Sequence, residues 1–115
     1  INEVYPGNNI GDIGFAVEGF VKSLGYSVVK NFTGHGVGFA LHEPPVVPNY
    51  GLKGTGHLLR EGMVMTVEPI VNEGSDELVV LDDGWTSVTS DGKLSAQFEH
   101  TIAVTEAGPV ILTSE

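Results

Sequence analysis

The sequence contains no cysteine. Disulfides are thereby excluded, as are thiolate metal sites and a cysteine nucleophile. Basic residues are scarce: five lysines and arginines face fifteen aspartates and glutamates, a formal net charge of −10. Such a balance repels phosphates and argues against nucleic acid or an anionic membrane as partner. It suits cationic ligands, either metal ions or a substrate with a free amine, while most of the acids form a solubilising surface. No apolar run approaches the roughly 20 residues of a membrane span and no signal peptide opens the chain, in keeping with a cytoplasmic setting. An initiator methionine is missing too. The chain opens "INEVYPGNNIG" and is expected to start partway through something longer.

What remains is enough for one small domain, or part of a larger one. The 115 residues are 41% hydrophobic, with 16 glycines and 6 prolines as punctuation, which points to a globular fold and not to disorder. Asn9 is placed to cap a helix, with Asp12 three residues on as its capping-box partner. Ile10, Ile13, Val17, Phe20, Val21 and Leu24 then recur at helical spacing, and Gly25 is a natural stop, so the pattern predicts a helix over 9–24. Gly11, Gly14 and Gly19 each cost such a helix about 1 kcal/mol relative to alanine, so packing must hold it. Beyond it the period changes to two. Strands are expected over 26–32 and 63–71, then at "ELVVL", "WTSVTS", "SAQFEHTIAVT" and "PVILT", with turns at "DDG", "DGK" and "EAG". Residues 43–62, rich in proline and glycine, are expected to be mostly loop. The class is α+β, one helix followed by mainly antiparallel strands.

The chemistry-bearing residues lie in three places. "FTGHGVGFALHEPP" (32–45) sets His35 among glycines and His42 seven residues later. In the strand 63–71, Val64, Thr66, Glu68 and Ile70 share one face, so Glu68 is a carboxylate among nearly all apolar neighbours. Such a group is costly unless paired or metal-bound. Pro69 removes a ladder donor beside it and marks a strand end, edge or bulge. In the strand 95–105, Ser95, Gln97, Glu99 and Thr101 share a polar face. His100, on the opposite face, reads as a core or interface histidine, and His57 as a loop residue. One histidine and two glutamates from separate strands fit a nitrogen-and-oxygen metal site, though by spacing alone such trios arise often by chance. The alternatives find less support. "GHGVGF" lacks the Lys-Ser/Thr of a phosphate loop and the third glycine of a dinucleotide fingerprint, and no nucleophile elbow accompanies the serines.

Taken together, "GHGVGFALHEPP", "GMVMTVEPIVNEG", "DDGWTSVTSDGKLSAQFEHTIAVTE" and the closing "ILT" resemble the type I methionine aminopeptidases, in the expected order and over nearly the whole chain. Relatives that cleave beside proline, the aminopeptidase P and prolidase types, share the "GHGxG…HE" and "EP" elements. The stretch "SAQFEHT" favours methionine aminopeptidase. The resemblance implies a pita-bread fold of two pseudo-symmetric halves, with two divalent ions (Co, Mn, Fe, Zn or Ni) in the cleft. Carried over, His35, Glu68 and Glu99 would be metal ligands, Glu99 bridging, and Glu68 would also move the proton of the attacking water. His42 would contact substrate and stabilise the oxyanion, and Leu41 and Trp85 would lie near the methionine pocket. Many relatives carry an aromatic where this chain has Leu41.

The two aspartate ligands of the family's N-terminal half find no match here. The chain is therefore expected to be a C-terminal half, binding at most one ion weakly and inactive alone. Its partners would be a peptide with N-terminal methionine and either the missing half or a second copy. A related peptidase of the same fold, or a non-catalytic metal- or peptide-binding half, are the competing readings.

Overall fold

The computed structural model describes residues 1–115. Its one helix, α1, runs Ile10–Ser23. Asn9 opens it: the Asn9 backbone N–H donates to Asp12 Oδ2 at 2.7 Å, and Asp12 N–H returns to the Asn9 carbonyl at 3.0 Å. The other Asp12 oxygen accepts Gly54 N–H at 2.7 Å, so one buried carboxylate ties the helix start to the 52–56 loop. The amides of Asn9 and Gly54 hold the Asp12 carboxyl below the usual carboxylate range. Gly11 faces that loop and Gly14 the Pro48–Tyr50 segment before it. A β-carbon at either would collide with the carbonyl of Leu52 or Tyr50, so these helix glycines are what the close approach requires. Gly25, at φ +83°, turns the chain away from the helix end.

Ten short strands follow: β1 Ser27–Val28, β2 Gly34–Gly36, β3 Glu43–Val47, β4 Val64–Val67, β5 Ile70–Asn72, β6 Leu78–Val80, β7 Ser87–Thr89, β8 Ser95–Gln97, β9 His100–Thr105 and β10 Gly108–Ile111. They form a five-stranded sheet in the order β10-β9-β4-β2-β3, a three-stranded sheet β1-β5-β8 and the hairpin β6-β7, every pairing antiparallel. The first half of α1 packs on the five-stranded sheet. Val4, Ile10, Ile13, Val47, Leu59, Met65, Val67, Ile102 and Val104 make the core.

The structure refines the expected pattern in three places. The strand expected over 26–32 is paired only at Ser27–Val28, after which Val29 N–H reaches Ile70 O and the chain bends away. The stretch 43–62 is mostly loop, as expected, but "EPPVV" at its start forms β3 despite its prolines. β3 is the outer strand of its sheet, where a missing N–H costs no ladder bond. The apolar stripe of α1 divides between the core, which takes Ile10 and Ile13, and an open groove. Phe20 and Leu24 are 68% and 57% exposed and line a groove of about 650 Å³ against β5 and β8.

The predicted strands 63–71 and 95–105 are each broken once, and the breaks coincide. β4 pairs with β9 up to Val67↔His100, and β5 pairs with β8 from Ile70↔Gln97. Two residues on each strand intervene, so Glu68 falls opposite Glu99 and Pro69 opposite Phe98. Phe98 N–H donates to Pro69 O at 3.2 Å and keeps the register continuous. Both strands leave the larger sheet and enter the smaller one at the two glutamates.

Candidate metal centre

β2 lies between β3 and β4 and carries His35. Its glycines permit that position: a β-carbon on Gly34 would strike the Thr66 carbonyl, and one on Gly36 the Pro44 carbonyl. β3 also slips relative to β2. The pairs Gly34↔Val47 and His35↔Val46 give way to Gly36↔Glu43, so Pro44 and Pro45 are extra residues on β3. This irregularity returns the 37–42 turn over the sheet and sets the His42 ring 4.2 Å from that of His35, tilted by 51°.

Nδ1 of the His35 ring lies 2.9 Å from the Gly36 carbonyl, which only accepts, so Nδ1 carries a proton and Nε2 is the nitrogen turned to the gap. Nε2 stands 3.2 Å from Glu68 Oε1. Glu99 joins from across the strand pair, and one donor atom each from His35, Glu68 and Glu99 lies within 4.8 Å of the others. The two carboxylates stand opposed, and like charges directly opposite on neighbouring strands are destabilising. A divalent cation reverses the sign of each of these contacts. The donor set fits such an ion, with borderline metals preferred.

The other residues singled out in the sequence fall around this gap. His42 stands exposed beside His35. Trp85, 89% exposed, shares with Glu68, Phe32 and Ile70 the wall of a cavity of about 460 Å³. Leu41, 74% exposed, sits on the turn next to His42 and is not among the residues lining that cavity. His100 is apart from the cluster, its Nδ1 2.8 Å from Thr113 Oγ1, and His57 is an exposed loop residue. Two further side chains act on the site. Thr66 Oγ1 donates to Glu68 Oε1 at 2.7 Å, and Gln97 Nε2 donates to Glu68 Oε2 at 3.3 Å. Strand alternation had already placed Thr66 with Glu68 and Gln97 with Glu99. Only their role as partners of the acid was not legible.

An imidazole and two carboxylates gathered on an antiparallel α+β frame are a nitrogen-and-oxygen donor set of the kind that holds divalent metal ions. The sequence profile of metallopeptidase family M24 matches residues 1–106, and the chain belongs to that family. It is 58% identical over 113 residues to methionine aminopeptidase A of Synechocystis, covering 98% of this chain and 45% of that protein. The crystal structure of methionine aminopeptidase from Thermotoga maritima superposes with a TM-score of 0.97 at 50% identity, over 100% of this chain and 46% of that one. A prolidase from Pyrococcus horikoshii is more distant, with a TM-score of 0.70 at 27% identity, over 99% of this chain and 27% of that one. The fold is thus that of the pita-bread metallopeptidases, and similarity is greater to the methionine aminopeptidases than to the prolidase. The chain spans about half the length of the curated relatives it matches.

Proposed function

We propose that this chain supplies one half of a divalent-metal centre that removes methionine from the N-terminus of peptides and nascent proteins in the cytoplasm. The observation that carries the reading is the convergence of His35, Glu68 and Glu99 within 4.8 Å. Its support is the 58% identity to a methionine aminopeptidase. His35 Nε2, Glu68 and Glu99 would hold the metal, with Glu99 as the carboxylate that two ions would share. Co, Mn, Fe, Zn and Ni all suit these donors. A metal bound there would supply Lewis acidity for the scissile carbonyl and for a nucleophilic water near neutral pH.

The remaining steps belong to side chains of this protein. Glu68 accepts the proton of the attacking water at Oε2, the oxygen held only by the longer bond from Gln97, and passes it to the leaving nitrogen. The His42 ring donates to the oxygen on which negative charge develops. Phe32, Ile70 and Trp85, which wall the cavity beside Glu68, receive the methionine side chain. Three donors do not complete the shell of two ions. The complementary half of the catalytic unit supplies the rest and covers the apolar groove of α1, β5 and β8.

Joining these 115 residues to the remaining half of the Synechocystis relative tests the reading. The joined protein is expected to release methionine from Met-Ala-Ser in a metal-dependent, chelator-sensitive way and to leave Xaa-Pro peptides uncut. The 115-residue chain alone is expected to be inactive. Methionine release by that isolated chain, or cleavage of Xaa-Pro peptides by the joined protein, would refute it.

A further inference from the structure

We propose that Thr66 is a positioning residue of the metal centre: its hydroxyl fixes the Glu68 carboxylate to the strand that carries His35. The role rests on the metal-centre reading above. Thr66 is only 3% exposed and lies two residues before Glu68, on the same face of β4. The His35 backbone N–H, which can only donate, reaches Thr66 Oγ1 at 3.0 Å. That contact occupies a lone pair of the hydroxyl and leaves its single proton to choose an acceptor. Glu68 Oε1 stands at 2.7 Å and the His35 carbonyl at 3.5 Å, so distance and charge both direct the proton to the carboxylate. One hydroxyl thereby couples the backbone that carries the imidazole to the acid that shares its ion.

The need for this coupling comes from the fold. β4 ends at Val67, and Pro69 has no N–H to give to the β8–β9 strand. Backbone restraint lapses where Glu68 must aim its side chain into the gap, and Glu99 across from it pushes the carboxylate away. Thr66 restores the restraint from inside the sheet. A role in folding alone would need only the acceptor for His35 N–H. The donation to Glu68 is the part that serves the site.

The test is titration of the 115-residue chain with Co²⁺, read by visible absorption and calorimetry, for Thr66→Val, Thr66→Ala and Thr66→Ser. Circular dichroism establishes that each variant is folded. Removing the hydroxyl should weaken Co²⁺ binding by about 10-fold or more, as for other groups that orient metal ligands, and serine should restore it to within about 3-fold. The metal-free chain gives a second reading. The Glu68 carboxyl ¹³C resonance should move in Thr66→Val or Thr66→Ala and return in Thr66→Ser. Unchanged Co²⁺ affinity without the hydroxyl, or a serine variant as weak as alanine, overturns the role of Thr66 and leaves the metal centre standing. Failure of the unaltered chain to bind Co²⁺ in a His35-dependent way overturns the metal centre and this inference with it.

Discussion

Replacing Gly34 with alanine should damage the fold and the metal centre together. The added β-carbon would collide with the Thr66 carbonyl, a backbone atom of the neighbouring strand that cannot swing aside. Ordinary carbon contacts are about 3.5–4 Å, so relief requires β2 and β4 to separate by roughly 1 Å. Overpacking of this kind costs about 1–3 kcal/mol. At roughly 4–8 °C per kcal/mol for a domain near this size, the thermal midpoint should fall by about 10 °C. The same separation stretches the 3.0 Å bond from His35 N–H to Thr66 Oγ1 past hydrogen-bond range and draws the imidazole from the two acids, so Co²⁺ affinity should drop as well. Gly19→Ala is the internal control. Nothing stands within 4 Å of a β-carbon there, and the helical position should gain up to about 1 kcal/mol with metal binding unchanged. Thermal unfolding by far-ultraviolet circular dichroism and Co²⁺ titration read both variants. If Gly34→Ala melts and binds metal like the unaltered chain, the account of why glycine flanks His35 is wrong.

Further outcomes follow from the same geometry. Glu99→Gln should lower metal affinity while raising the stability of the metal-free chain by a few tenths of a kcal/mol, because it removes one of two opposed charges. Opposite signs in calorimetric titration and thermal melting check this. Saturating Co²⁺ should raise the melting temperature in proportion to the logarithm of free metal, a shift that EDTA abolishes and His35→Ala never shows. Asp12 has a lowered folded-state value, so the unfolded chain takes up its proton first as acid is added. Its stabilisation is present above about pH 4 and is lost as pH falls through the lowered folded value, and Asp12→Asn should flatten that acid limb in pH-dependent melts.

Much of this molecule could be read from residue patterns, where chemistry and periodicity coincide. Asn9, Asp12 and Gly25 marked the ends of α1 because each serves a backbone group that the helix leaves unpaired. Period-two alternation gave Glu68 and Glu99 each a face on its own strand, and Pro69 marked the interruption beside Glu68. What stayed hidden is pairing across the chain. Alternation cannot show that the breaks at 68–69 and 98–99 face each other, since that depends on register set elsewhere in the sheets. β3 was missed because its prolines oppose strand propensity everywhere except on an outer edge, and edges are a property of the assembled sheet. Spacing put Phe20 and Leu24 on the apolar stripe of α1 but could not show what covers each part of it, and in the fold both are exposed.

The central claim is that three side chains distant in sequence share one cation. Anomalous diffraction from a crystal of this chain soaked in Mn²⁺ or Co²⁺ tests it most directly. The account predicts a peak at about 2.0–2.3 Å from His35 Nε2 and from oxygens of Glu68 and Glu99. A peak only at His57 or His100, or none near His35, would contradict it.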